Sequence, residues 1–465
     1  MVVILLAAAS LVRFYRIADL APFLGDQGRD LLEIKTALDG GGLPLAGPVS
    51  NQNVHAGPAY YYLIIPSLMV TGFHPIGPTI FLTFLGVISV GLIFYLGRKW
   101  FGFWTGLAVA CLYAFSPPII NQTRGVWNPI PLPFFSLLIL TAITKINEGH
   151  FFWLAWLGLF LGLAVQMYAP AYFLLLPVFA WLVYYLISRR PEGIFYKWLA
   201  GGLTVFVLAL APFIYFQVST DFADLGNMIT AGDGQFHLRS SIKNWGLVFS
   251  RQFESISLAD NWPVNLILGL TVTVSAAAKR KYFLLFWLAG GVSLVFIYRD
   301  IHSHYLSFLW PIPFLLLGAL PKKLLFSLVP IVSLLYIFNY YKSLSPTYDI
   351  YQSEEIARVA AGKIKEPTAL LLLSARSPSD AHLRYLLQME GLSLSRESES
   401  RRMILVCDQQ ACPTGEELTG KTLVDSYCLP KCPALPDQVY INMKTWQINE
   451  VVNLAPNQIY FLQKN

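Results

Sequence analysis

Apolar blocks about twenty residues long, enough to cross a bilayer's hydrocarbon core, recur between polar stretches from residue 1 to residue 341. Charged residues make up only 13% of the 465 positions. Soluble domains carry roughly a quarter, so this chain is too poor in charge to cover a water-facing surface. The blocks predict about eleven membrane spans, near 1–17, 76–97, 103–118, 130–146, 151–167, 170–188, 195–216, 263–278, 282–298, 303–319 and 323–341. The tyrosine-rich stretch Pro58 to Thr71 is shorter and reads as an interfacial or re-entrant helix, because Tyr favours the headgroup level. The expected fold is a polytopic all-α membrane protein with juxtamembrane helices in its first outer loop and a small C-terminal α/β soluble domain.

Lys and Arg set the orientation. If 58–71 does not cross, the cytoplasmic loops are Arg98-Lys99, Lys145 to His150, Ser188 to Lys197, Lys279-Arg280-Lys281 and Lys322-Lys323, and all are basic. Arg13 and Arg16 then lie awkwardly at the outer end of the first span, which is short, so the natural start is expected upstream. That span has no small-residue cleavage site and reads as a span, not a signal peptide. Outside the cytoplasm fall 18–57, 118–129, 217–262 and everything after Tyr341, in an expected plasma (inner) membrane location. The net charge of +6 is mild, and nothing points to nucleic acid.

The chain divides into a membrane domain, 1–341, and a soluble domain, 342–465. In the latter, Tyr351 to Ile364 and Asp380 to Met389 have helical spacing, and Ala369 to Leu373 and Met403 to Val406 read as buried strands. Four of the five cysteines, Cys407, Cys412, Cys428 and Cys432, lie here and Cys111 lies in a span. An even set outside the cytoplasm favours two disulfides, in any of three pairings, over a zinc site.

Leu24-Gly25-Asp26-Gln27-Gly28-Arg29-Asp30 in the first outer loop carries the densest chemistry. Helical spacing runs from Gln27 to about Leu38, placing Asp26 at or just before the helix N-terminus and Arg29 and Asp30 on the same face. A carboxylate beside a guanidinium can take a proton from an alcohol next to a phosphate. The structural alternative is that Asp26 merely caps the helix and Arg29 is its surface partner.

From Leu11 to about Leu320 the sequence resembles the GT-C superfamily of membrane glycosyltransferases, in the branch of protein O-mannosyltransferases and of aminoarabinose transferases acting on lipid A. The resemblance rests on four stretches in order. Leu11-Val12-Arg13-Phe14-Tyr15-Arg16 followed by Asp26-Gln27 matches a Leu-Arg-Leu-Tyr-like run and a loop Asp-Glu. Ala56-Gly57-Pro58-Ala59-Tyr60-Tyr61-Tyr62 matches a Lys-Pro-Pro-Leu-Tyr-Tyr-like juxtamembrane motif. Gln122-Thr123-Arg124-Gly125-Val126-Trp127-Asn128-Pro129 matches a Ser-Arg-x-x-x-x-Asp-like loop, and His302-Ser303-His304-Tyr305 to Pro311 a His-Tyr-x-x-Pro-like span start. The resemblance does not extend to the C-terminal domain.

It implies a sugar transferase using a polyprenyl-phosphate donor, with Asp26 as general base or metal contact and Arg29 on the carrier phosphate. It also carries Arg124, His304 and Tyr305 to the donor phosphate, with Asp30, Asn128 and His302 as additional candidates. Ala56 replaces a common lysine, so one phosphate contact is either lost or supplied by His55. Gln27 for glutamate and Asn128 for aspartate weaken a metal-dependent scheme and leave a divalent metal open. Read by themselves, His302 and His304 are ordinary hydrogen-bonding groups before they are a metal pair, and Glu254, Asp260 and His237 are solvated loop residues that could meet the acceptor. The acceptor itself is a glycan, a lipid or a protein. The rival is a transporter or flippase, which should place ionisable groups at the bilayer midplane in repeated segments. These spans have almost none, and no repeat is visible.

Overall fold

A computed structural model describes residues 1–50, 53–224, 226–227, 238–257, 261–296, 301–342, 344, 349–373, 377, 379–407, 412, 414, 417–418, 422–424 and 440–464. Helices occupy the places the apolar blocks marked. Among the described residues four are long and apolar enough to cross a membrane: Ile76–Phe101, Ala169–Arg189, Gly193–Ser219 and Lys322–Lys342. At 1.5 Å per residue, the 26 residues of Ile76–Phe101 reach about 39 Å, more than the hydrocarbon thickness. Shorter apolar helices include α1 (Val2–Phe14), α3 (Ala59–Val70), α5 (Phe103–Phe115), Leu132–Asn147, Trp153–Met167, Trp262–Ala278 and Tyr282–Val292. The stretch between α1 and α3 carries α2 (Gly25–Asp39), and α4 is Ile76–Phe101.

Gly193–Ser219 leaves Leu203, Val207, Leu208, Ile214 and Tyr215 exposed, and Lys322–Lys342 leaves Ile331, Leu334, Ile337 and Phe338 exposed. Large apolar side chains on the outside of a bundle require a solvent of lipid. The chain is a multi-pass membrane protein. Two expectations change. The block 303–319 is no continuous span but a 3-10 segment, Ser303–Leu309, followed by a short helix, Pro311–Leu317, both enclosed by neighbours. Pro311 and Pro313 lack the N–H groups a continuous helix needs. The tyrosines of α3 do not face headgroups either: Tyr60 and Tyr61 are buried in the protein, and the Tyr62 hydroxyl donates to the Pro44 carbonyl at 2.7 Å. At 12 residues α3 is too short to cross.

The awkward Arg13 is inside the bundle, fully buried, donating through Nη1 to the Ala114 carbonyl at 2.7 Å. Charge rules for loops do not govern it. Arg16 pairs with Asp19 at 2.7 Å on the surface.

After Lys342 the architecture changes. Helix Ile350–Lys363 and helix Ala381–Met389 pack with a four-stranded sheet of order β1-β2-β6-β5. Its strands are Ala369–Leu373 (β1), Arg402–Cys407 (β2), Trp446–Leu454 (β5) and Asn457–Lys464 (β6); β3 (Thr422–Val424) and β4 (Tyr440–Asn442) pair separately. β1 runs parallel to β2, and the hairpin β5–β6 closes antiparallel. Alternate residues face opposite ways. Leu370, Leu372, Ile404, Val406, Ile459 and Phe461 join the main core, and Leu371, Met403, Leu405, Tyr460 and Leu462 form a second, smaller one. Cys407 at the end of β2 is bonded to Cys412. Cys428 and Cys432 lie outside the described residues, and Cys111 is a free thiol in α5.

Candidate active site

Helix α2 starts after extended Leu24, whose N–H donates to the Gln27 side-chain oxygen at 2.9 Å. This is half of a capping box, a part Gln plays as well as Glu. The helix begins two residues earlier than the spacing indicated, so Asp26 lies within its first turn and does not cap it. A carboxylate there gains from the exposed N–H groups of the helix end. Its side chain is 41% exposed, with the Arg29 guanidinium 3.3 Å away.

Arg29 is held on three sides. Nε and Nη2 donate to one Asp30 oxygen at 3.1 and 2.8 Å, and Nη1 donates to the Val49 carbonyl at 3.2 Å as well as to Asp26. The Asp30 carboxylate is fully buried and also accepts from the Tyr61 hydroxyl at 3.3 Å. Its second oxygen has no partner among the described residues. Burial pushes the Asp30 carboxyl up to about 6, with Arg29 pulling it back. Burial opposes the charge on Arg29, but Asp30 and Asp26 outweigh it and raise its pKa above the ordinary value.

Asp26 opens onto a pocket of about 480 Å³ whose walls include Gln27, Gln122, Trp127, His304 and Trp310. The fold thus brings together the 18–57 loop, the 118–129 loop and the start of the 303–319 segment. His304 lies against Trp127 with ring centroids 4.8 Å apart, and exposed His302 stacks parallel to it at 5.5 Å. Tyr305 stands edge-on to His304 at 4.8 Å and to Tyr168 at 5.9 Å. Trp127, Trp310 and Gln122 escaped the reading of candidates, since aromatic residues near span ends are ordinary membrane features.

Other candidates are engaged elsewhere. Val49, which accepts from Arg29, is bridged to His55, but the His55 ring turns to Asp224 at 3.0 Å, itself held by Gln217 at 2.5 Å. Arg124 is a structural tie: nearly fully buried, it donates to the Arg13 carbonyl at 3.0 Å, to the Val12 carbonyl and to the Tyr340 hydroxyl at 3.1 Å. These bonds lock α1 to the helix Lys322–Lys342, and Arg124 is not among the residues lining the pocket of Asp26. Arg124→Met is expected to lower stability by about 1–3 kcal/mol, the loss of several buried hydrogen bonds, with donor KM of the folded fraction unchanged. Raised KM at an unchanged melting temperature would restore the phosphate role. The Asn128 amide donates to the Met167 carbonyl at 2.7 Å inside the protein, because a buried amide must find a partner. Glu254 stands 4.0 Å from Arg251. Asp260 and His237 lie outside the described residues. No group of three or more His, Cys, Asp or Glu able to hold a metal ion occurs among the described residues.

A second cavity, about 740 Å³ and lined by Leu11, Val12, Phe115, Tyr336, Ile337 and Tyr340 among others, is almost wholly apolar. The short helix Pro117–Gln122 stands between the two spaces: Ile120 lines the larger one, Asn121 and Gln122 the pocket of Asp26.

By its four motifs the chain resembles the GT-C membrane glycosyltransferases, in the branch of protein O-mannosyltransferases and aminoarabinose transferases. Residues 55–216 match the family of dolichyl-phosphate-mannose-protein mannosyltransferases. The structure of ArnT from Cupriavidus metallidurans in the apo state superimposes with a TM-score of 0.55, at 13% identity, over 87% of this chain and 92% of that one. ArnT from the same organism bound to undecaprenyl phosphate gives a TM-score of 0.53, at 13% identity, over 91% and 96%. At that identity the likeness establishes the fold. No curated protein matches by sequence.

Proposed function

We propose that this protein transfers a sugar from a polyprenyl-phosphate carrier to an acceptor hydroxyl on the extracytoplasmic side of the membrane. One observation carries the reading: Asp26, paired with Arg29, opens onto a pocket that also presents Gln27, Asn121, Gln122 and His304, and a single short helix separates it from an almost wholly apolar cavity. A lipid-linked sugar has the same two-part character, and one ArnT structure holds undecaprenyl phosphate. In the reaction, Asp26 accepts the hydroxyl proton and the oxygen attacks the anomeric carbon. The bond from that carbon to the phosphate oxygen breaks, and the carrier leaves as its phosphate with inversion at the sugar. Arg29 Nη1, whose 3.3 Å contact with Asp26 is the longest it makes, turns to the departing phosphate, where charge grows in the transition state. Asp30 keeps the opposite edge of the guanidinium fixed. Residues 342–465 form a soluble domain on the same side.

The direct test is purified protein in detergent with a panel of polyprenyl-phosphate sugars, reading release of polyprenyl phosphate. Release with one donor supports the reading. No release with any donor, together with lipid or solute movement in proteoliposomes, would overturn it in favour of transport.

Asp30 adds a pH dependence. As pH falls through about 6 its carboxylate takes a proton and releases its ion pair with Arg29. Donor KM is expected to rise over that range, and in Asp30→Asn to be high at every pH. The stability effect has a definite sign. The folded state holds this proton more tightly than the unfolded one, whose value is near 3.8. The contribution is therefore full below that value and lost as pH rises to about 6. A donor KM flat across this range in the wild type would refute the role given to Asp30.

A further inference from the structure

Helix α2 begins without a cap of its own, since leucine at the N-cap position offers no side-chain acceptor. The first helical N–H, that of Gly25, donates instead to the Ser377 hydroxyl at 2.9 Å, 352 positions along the chain. Ser377 in turn donates its own proton to the Ser379 carbonyl at 2.6 Å, while its oxygen accepts from Gly25. The C-terminal segment thus supplies the cap for the helix that carries Asp26.

The approach is backbone on backbone. A Cβ on Gly25 would stand 2.3 Å from the Ser379 hydroxyl oxygen and 2.8 Å from its carbonyl oxygen, and one on Gly28 would stand 2.2 Å from the Cα and N of His382. Only glycine permits contact this close, and the two glycines bracket Asp26 in the sequence. The surrounding joint is continuous. Fully buried Phe23 meets His382 and Tyr385 edge-on at 6.3 and 6.4 Å, Pro22 is bridged to Asp349, and the Tyr385 hydroxyl donates to the Phe73 carbonyl. His74 pairs with Glu354 beside it. Ser377 is not among the residues lining the pocket of Asp26, so it acts on that pocket only through the helix.

We propose that Ser377 is a positioning residue that fixes the first turn of α2, and with it the direction of the Asp26 carboxylate, by capping the helix from the C-terminal segment. The proposal rests on the reading of Asp26 as the base. A carboxylate misplaced by a fraction of an ångström to an ångström loses much of its rate, up to about a hundredfold, without losing substrate.

The test is a set of four proteins measured for kcat, donor KM and thermal melting: Ser377→Ala, Ser377→Thr, Asp26→Asn and the double variant Ser377→Ala with Asp26→Asn. Loss of one cap is too small a change to unfold a chain with a core this extensive. Ser377→Ala is expected to lower kcat by about tenfold to a hundredfold, with donor KM within about twofold of the wild type. Ser377→Thr, which keeps the hydroxyl, should recover most of that loss. In the Asp26→Asn background the serine substitution should make no further difference, since the two act through one group. Wild-type kcat in Ser377→Ala, with Asp26→Asn inactive, overturns this proposal and leaves the reading of Asp26 standing. A kcat loss that follows the melting temperature, unrelieved by threonine and repeated in full in the double variant, assigns Ser377 a purely structural part and likewise overturns it. Wild-type turnover in Asp26→Asn removes the reading on which both rest.

Discussion

Asp26→Asn is expected to lower turnover by about a hundredfold to ten-thousandfold, the range a positioned general base contributes, while the protein folds and binds carrier lipid as before. The geometry makes this substitution unusually clean. Asp26 caps nothing, its side chain is partly exposed, and the hydrogen bond described for it comes from Arg29. Asparagine is the same size and keeps an oxygen for that guanidinium but no longer accepts a proton. A melting temperature near the wild-type value should accompany the loss, since substitutions away from buried partners seldom exceed about 0.5 kcal/mol. Steady-state transfer rates beside thermal melting decide it. Turnover at the wild-type level would take the proposed active site out of the 18–57 loop.

Arg29→Ala should do the opposite, harming fold and function together. It leaves the buried Asp30 carboxylate without its cation, a change that typically costs about 3–5 kcal/mol, and Asp30 is expected to respond by binding a proton. Arg29→Lys separates the two effects. Lysine keeps the charge but reaches one acceptor at a time, where Arg29 spans Asp30, Asp26 and Val49. Its melting temperature should stay near that of the wild type. Donor KM should rise about tenfold to a hundredfold, the worth of one charge-assisted hydrogen bond. Donor titrations with both variants, followed by thermal melting, check this. An unchanged KM in Arg29→Lys would mean that the guanidinium serves only to neutralise Asp30.

The positions of the helices were legible because apolar runs and their polar breaks are local properties. The helix of Asp26 and the β1 and β2 strands followed from spacing for the same reason. What spacing could not convey is which groups are already taken. Arg124 and Asn128 looked like site residues in a matching loop, yet each satisfies a backbone carbonyl distant in sequence. His55 stood beside the missing lysine, but Asp224, 169 positions on, claims its ring. Buried polar groups must be paired, and the partner is set by tertiary packing rather than by neighbours in the chain. Ser377 escaped notice for the reverse reason: a serine in a short polar stretch carries no signal until a helix with no cap arrives against it. The β5–β6 hairpin was missed because β5 is mostly exposed with a bulge between Ile448 and Glu450, and β6 offers a run of just four apolar residues, Ile459 to Leu462.

The Arg124 lock has a consequence for how the protein is made. It joins the carbonyls of Val12 and Arg13 to the hydroxyl of Tyr340, so α1 and Lys322–Lys342, far apart in the order of synthesis, meet at one guanidinium. The wall of the larger cavity is likewise shared between α1, α5 and Lys322–Lys342. Until that last helix has been inserted, the cavity lacks a side and Arg124 lacks one of its acceptors. A nascent chain cannot close this cavity before Lys322–Lys342 has been translated, so biosynthesis itself delays assembly of this compartment.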